Sequence, residues 1–206
     1  DVLKNVQPGD EVEVMINSPG GIIDVGSEIY TMLRQCAADV KIYITGQACS
    51  AASIVAMAGY CEMSPTALMM VHCVSSGTEG NHSDMEHMAE TLRTADNALS
   101  TAYVAKSGMS QEEALEMMEH ETWLTADQAK EKKLIGERTF DEATGKGKTR
   151  LRFEEREKPI NGGKSHSNPL SRPAQEAGVF VHNKIHSVEK DNSGVEGAHK
   201  SEELAE

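Results

Sequence analysis

Over its first third the chain alternates between two hydrophobic periods, and that alternation restricts the fold more than any other feature. Val12, Val14 and Ile16 alternate with other residues as a half-buried strand does, up to the breaker run Asn17-Ser18-Pro19-Gly20-Gly21. From there Ile22, Val25, Ile29, Met32 or Leu33, and Cys36 recur at helical spacing, with Asp24 and Glu28 toward the positive end of the expected helix. Val40, Ile42 and Ile44 predict a second strand, Gly46 a turn, and the small apolar run Ala51 to Ala58 a fully buried helix. A third strand is expected through Ala67-Leu68-Met69-Met70-Val71. Strand, helix, strand, helix, strand is the order of crossover units on a mainly parallel sheet, so the chain is expected to be α/β.

Beyond Val71 the pattern turns helical. Ser83-x-x-Glu86, Ser110-x-x-Glu113 and Thr125-x-x-Gln128 have the form of capping boxes, and Met85, Met88, Leu92, Ala95 and Leu99 follow the first at helical spacing. Charge divides the chain: residues 1–140 hold 21 acidic and 9 basic side chains and all 11 methionines, whereas residues 141–206 hold 12 and 11 charges of the two signs. The folded domain is therefore placed at 1–140. Residues 141–206 are rich in Gly, Ser, Asn, Lys and Glu, lack a sustained period, and are expected to form a disordered tail, with Val179-Phe180-Val181 as a short docking segment. No internal repeat occurs.

At 206 residues the chain has room for one domain with a real core, and two would be crowded. A formal net charge of -13 disfavours a nucleic-acid partner, which needs clustered Lys and Arg. No apolar stretch reaches the roughly 18 residues of a membrane span, and the acidic start, Asp1 to Asp10, lacks the pattern of a signal peptide. Cys36, Cys49, Cys61 and Cys73 form no C-x-x-C pair and read as free thiols in a reducing compartment. The chain begins without Met and enters a strand almost at once, which suggests that the amino-terminal edge of the domain is absent.

An open parallel sheet binds its ligands beyond the carboxyl ends of its strands, so the loops after Ile16, Thr45 and Val71 are expected to cluster. The first offers Gly20-Gly21, the second Ser50 and the third His72: exposed backbone N–H groups, a nucleophile at a strand-to-helix turn, and a base. Each has a plainer reading. Ser50 could be an N-cap, His72 a structural histidine and the glycine pair a turn. Their conjunction at neighbouring strand ends points to chemistry.

Ile16-Asn17-Ser18-Pro19-Gly20-Gly21, then Gly46-Gln47-Ala48-Cys49-Ser50-Ala51-Ala52, then Met70-Val71-His72, then Thr122-Trp123-Leu124-Thr125-Ala126 occur in order between Glu11 and Gly136. In these motifs the chain resembles the ClpP-type serine peptidases. The resemblance implies a ClpP/crotonase-like fold of stacked β-β-α units, with a mainly parallel sheet and a helical handle; the Gly-rich polar segment Val74 to Met85, which precedes the long helix, corresponds to the family's handle region and otherwise reads as a surface loop. It also implies a triad with Ser50 as nucleophile and His72 as base, and an oxyanion hole made by the N–H groups of Gly21 and Ala51. The family's acid, usually Asp, falls on Glu121, one methylene longer but able to accept from an imidazole; Asp127 is a nearby substitute within a capping box. Cys49 is a rival nucleophile one position early, and Ala52 and Ser53 replace small residues more usual in the family.

No metal or organic cofactor is called for, and ATP would belong to a partner, since no P-loop occurs. The resemblance implies protein substrates, a homo-oligomer built as a heptameric ring or double ring, and a cytoplasmic location without nucleic acid or membrane partners. Two readings lie inside the family: a housekeeping subunit fed by an ATP-dependent unfoldase, and a phage head-maturation protease digesting scaffold or capsid proteins within a prohead. The Glu121 to Ala126 form, the stretch Tyr103-Val104-Ala105-Lys106-Ser107-Gly108 and the polar tail resemble the phage branch more closely. A crotonase-type acyl-CoA enzyme and a catalytically inactive assembly subunit are the readings from other classes.

Overall fold

In a computed structural model of the chain, the structure describes residues 3, 5–139 and 178–184. Its first strand, β1 (Glu11–Ser18), buries Val12, Val14, Ile16 and Ser18 on one face, as the alternation predicts. Helix α1 (Ile23–Arg34) leads to β2 (Asp39–Cys49), which pairs parallel with β1 from Glu11↔Asp39 to Ile16↔Ile44. The register then slips between Ile16 and Ser18, an irregularity that re-aims the chain as it leaves the sheet.

Strand β2 runs through the turn expected at Gly46. Its first half pairs with β3 (Tyr60–Met63) and its second half, Gln47 to Cys49, with β4 (Leu68–Val71), both parallel. Glycine is needed at 46 because the Asn17 side chain fills the space a Cβ would occupy. Between β2 and β3 lies α2 (Ala51–Ala56), buried at every residue, as its small apolar sequence predicts.

After β4 come α3 (His82–Ser107), α4 (Gln111–Glu119), β5 (Thr122–Leu124), α5 (Ala126–Glu131) and β6 (Glu137–Arg138). The expected boxes at Ser110/Glu113 and Thr125/Gln128 open α4 and α5. The box expected at Ser83/Glu86 is displaced. Asn81 is the N-cap of α3, its Oδ1 accepting from the N–H groups of Ser83 (2.9 Å) and Asp84 (3.4 Å), and Asp84 Oδ2 accepts from Asn81 N–H in return. An Asn-x-x-Asp pair performs the same reciprocal bonding two residues earlier, leaving Ser83 inside the helix.

Among the described residues the sheet has seven strands, with a path β5-β4-β2-β1-β7, and with β3 branching from β2 and carrying β6. It is mainly parallel. Only β4–β5 and β1–β7 run antiparallel, β7 being Gly178–Lys184, opposite Asn17 to Glu11. The apolar run Val179-Phe180-Val181 thus lies in a strand along the outer edge of β1. The remaining tail residues, expected to be disordered, lie outside the described residues. The core gathers Val12, Val14, Ile16, Ile42, Ile44 and Met69 under α2 and the carboxyl half of α3. No helix among the described residues is long and apolar enough to cross a membrane.

Candidate active site

The adjacent parallel strands β2 and β4 bring their carboxyl ends together, and each delivers one reactive side chain. Cys49 pairs with Met70 and the Ser50 N–H donates to the Met70 carbonyl at 2.9 Å, so the first residue beyond β2 is tied to the end of β4. His72 follows Val71, the last residue of β4. The Ser50 Oγ and His72 Nε2 stand 2.8 Å apart. That is hydrogen-bond contact, with Nε2 free to accept the hydroxyl proton when the ring carries its hydrogen on Nδ1.

Ser50 occupies the N-cap position of α2 without capping it, because its side chain makes no bond to the helix backbone. Its backbone, at φ 56° and ψ -128°, lies in a region that favours glycine. A strained strand-to-helix turn that lifts a serine out of the sheet is the geometry of a nucleophile elbow. The capping alternative for Ser50 therefore gives way to one in which the hydroxyl is held for the imidazole.

The glycine loop presses on this elbow. Gly20 has φ 100°, and a Cβ there would lie 2.6 Å from both the Cys49 carbonyl oxygen and the Ser50 Cβ, and 3.2 Å from the Ala51 nitrogen. Only glycine allows such an approach. Next to it Gly21, with φ 154°, lines a cavity of about 60 Å³ together with Ser50, Ala51 and His72, and Ile54, Leu99 and Met118 contribute apolar wall. Ala51 N–H opens α2 and is one of the donors that a helix leaves without an intrahelical acceptor.

Glu121 is not joined to His72 by a hydrogen bond. It follows the C-cap of α4 in a left-handed conformation, φ 46°, and its Oε1 accepts from Trp123 Nε1 at 3.3 Å. Strand β5 pairs antiparallel with β4 through Val71↔Thr122, the residues next to His72 and Glu121 in the chain. Asp127 is engaged elsewhere, accepting from Arg138 Nη1 at 2.8 Å. Cys49 is buried, 2% exposed, and burial pushes its thiol above the ordinary cysteine range, which disfavours the thiolate a rival nucleophile would need.

Sequence reasoning missed the supports of this site. The Ser53 hydroxyl donates to the Ser50 carbonyl at 2.6 Å and meets the Tyr103 hydroxyl at 2.7 Å, while the N–H groups of Cys73 and Val74 donate to the Met118 carbonyl (3.1 Å) and to Asp96 Oδ1 (2.7 Å). The substitution at Ser53 was visible as an unusual residue near the nucleophile, but its partner lies 50 positions away.

A mainly parallel α/β sheet with a hydroxyl–imidazole pair at the ends of adjacent strands defines a class, that of α/β folds equipped for side-chain nucleophilic chemistry. Comparison with known proteins narrows it. The Clp protease family profile matches residues 2–139. Proteins named as the ATP-dependent Clp protease proteolytic subunit from two Bacteroides fragilis strains are each 33% identical over 138 residues, 66% of this chain and 67% and 63% of theirs. The chain thus spans about two thirds of the length of these curated relatives, and it belongs to the Clp protease family.

Proposed function

We propose that the chain is a serine endopeptidase of the ClpP type, with Ser50 as nucleophile and His72 as general base. The observation that carries this reading is the 2.8 Å contact between Ser50 Oγ and His72 Nε2 at a strained turn. His72 Nε2 takes the hydroxyl proton as Ser50 Oγ attacks the peptide carbonyl, and the proton passes to the leaving amine as the C–N bond breaks. Water then attacks the acyl-enzyme, His72 again accepting the proton, which returns to Ser50. Gly21 and Ala51 N–H groups receive the oxyanion in both steps, an interaction whose loss costs on the order of 100- to 1,000-fold per donor.

Glu121 completes the triad by leaving Trp123 and accepting from His72 Nδ1–H. Its 3.3 Å bond to the indole is long, its side chain is exposed, and its chain neighbour Thr122 pairs with Val71, the neighbour of His72. The apolar wall of the small cavity suits an uncharged substrate side chain next to the scissile bond. Among the residues that line it there is no carboxylate, which disfavours the crotonase-type acyl-CoA reading. The Ser50–His72 contact likewise favours catalysis over an inactive assembly subunit.

The working form is a homo-oligomeric ring that encloses the sites, as the family relationship suggests, and the substrates are proteins delivered in an unfolded state. The narrower head-maturation role, on scaffold or capsid proteins, is supported by the Glu121 to Ala126 form, the stretch Tyr103 to Gly108 and the polar tail; genes for portal and capsid proteins beside the coding sequence would favour it, and an unfoldase gene the housekeeping role. The test of the catalytic reading is fluorophosphonate labelling of the assembled protein. Wild type should label at Ser50 and cleave an unfolded substrate, and Ser50→Ala should do neither. An assembled wild-type protein that neither labels nor cleaves would refute it.

A further inference from the structure

One face of α3 reaches both loops that carry the reactive side chains. Asp96, Leu99 and Tyr103 are three and four residues apart and so share a side of the helix. Toward the His72 loop, Asp96 Oδ1 accepts from Val74 N–H at 2.7 Å. Toward the Ser50 loop, the Tyr103 hydroxyl lies 2.7 Å from Ser53 Oγ, and the Ser53 hydroxyl donates to the Ser50 carbonyl at 2.6 Å. A serine has one hydroxyl proton, and here it goes to Ser50, so Tyr103 is the donor to Ser53. Burial pushes the Tyr103 phenol far above its ordinary range and keeps that donor protonated. Leu99, between the two polar residues, lines the cavity itself.

All three polar side chains are buried, with exposures of 9% for Asp96, 2% for Tyr103 and 0% for Ser53. Burying them costs free energy unless each bond is made, and a helix needed only for packing would fill these places with apolar residues. What the bonds hold is unusual backbone. Ser50 sits at φ 56° and ψ -128°, a conformation that persists only where the surroundings over-determine it, and its carbonyl is the group that Ser53 grips. Met118 reinforces the other loop, its carbonyl accepting from Cys73 N–H.

We propose that Asp96 and Tyr103, the latter through Ser53, are positioning residues, and that α3 clamps both loops to set the separation of Ser50 Oγ and His72 Nε2. The inference deepens the reading of Ser50 as nucleophile and rests on it. Tyr103→Phe keeps the ring and removes only the hydroxyl. It should lower the turnover number and the fluorophosphonate labelling rate about 3- to 10-fold, the value of one net hydrogen bond, with KM and the midpoint of the pH profile unchanged. Asp96→Leu should do the same, and Asp96→Asn, which retains an acceptor for Val74 N–H, should recover most of the loss. Amide hydrogen exchange in the assembled protein should quicken at residues 50–53 in Tyr103→Phe and at 73–75 in Asp96→Leu, while β1 stays protected. Variants that unfold more easily yet label and exchange in these loops like wild type would overturn the clamp. If wild type never labels, the nucleophile reading fails by itself, and the exchange pattern alone decides for or against the clamp.

Discussion

Replacing Gly20 by alanine tests how closely the glycine loop is fitted to the Ser50 turn, and Gly9 supplies an internal control. The two residues have nearly the same positive φ, 100° and 98°, so alanine costs each about 1 kcal/mol of conformational strain, partly offset by a stiffer unfolded chain. They differ in surroundings. A Cβ on Gly9 meets nothing within 4 Å, whereas on Gly20 it falls 2.6 Å from the Cys49 carbonyl oxygen and from the Ser50 Cβ. Ordinary contact begins at 3.4 Å, so the loop and the turn must part by about 0.8 Å, an overpacking that typically costs about 1–3 kcal/mol. Gly20→Ala should therefore lose about 1–3 kcal/mol more than Gly9→Ala in urea unfolding. The same displacement moves Ser50 relative to His72 and to the Gly21 amide, and a misplacement near 1 Å costs on the order of 100-fold in rate. Fluorophosphonate labelling should fall by about that factor in Gly20→Ala and stay at wild-type level in Gly9→Ala. Equal stability losses in the two variants, or unchanged labelling in Gly20→Ala, would refute the close fit.

Three further outcomes are expected. Glu121→Ala should lower turnover on an unfolded substrate by roughly 10,000-fold, the scale of triad-acid losses elsewhere, with little change in KM, and near-wild-type turnover would move the third role to another carboxylate. Asn81→Ala should cost about 1 kcal/mol in chemical unfolding, because it removes the cap of α3, whereas Ser83→Ala should stay within a few tenths; the reverse order would restore the box at Ser83. Burial raises the thiols of Cys49 and Cys61, Cys61 to about 12, which disfavours the reactive thiolate at both enclosed positions. Iodoacetamide should modify the half-buried Cys36 of the native protein before either, and rapid alkylation of Cys49 would revive it as a nucleophile.

What could be read from the sequence and what could not divide along a physical line. The α/β architecture was legible because the alternation in β1, the helical spacing of α1 and the small residues of α2 are each encoded within a dozen residues, and a parallel sheet then sets where loops converge. By the same logic Ser50 and His72 could be placed near one another before any coordinate, since each directly follows a strand. The short strands β3, β5 and β6 were missed because two to four residues carry no period, and they exist only through partners distant in sequence. Gly46 read as a turn because a glycine's local signal is conformational freedom, while its reason here is tertiary: the Asn17 side chain fills the space of the missing Cβ. The supports from α3 escaped for a related reason. Asp96 and Tyr103 lie in a helix whose face can be drawn from the sequence, but which loop atoms lack hydrogen-bond partners depends on how that helix crosses the sheet. Ser50 and His72 are thus announced by local signals at strand ends, whereas the groups bonded to their loops are selected by leftover donors and acceptors. Polar residues on an otherwise apolar helix face, such as Asp96 and Tyr103, are the one local trace those selections leave.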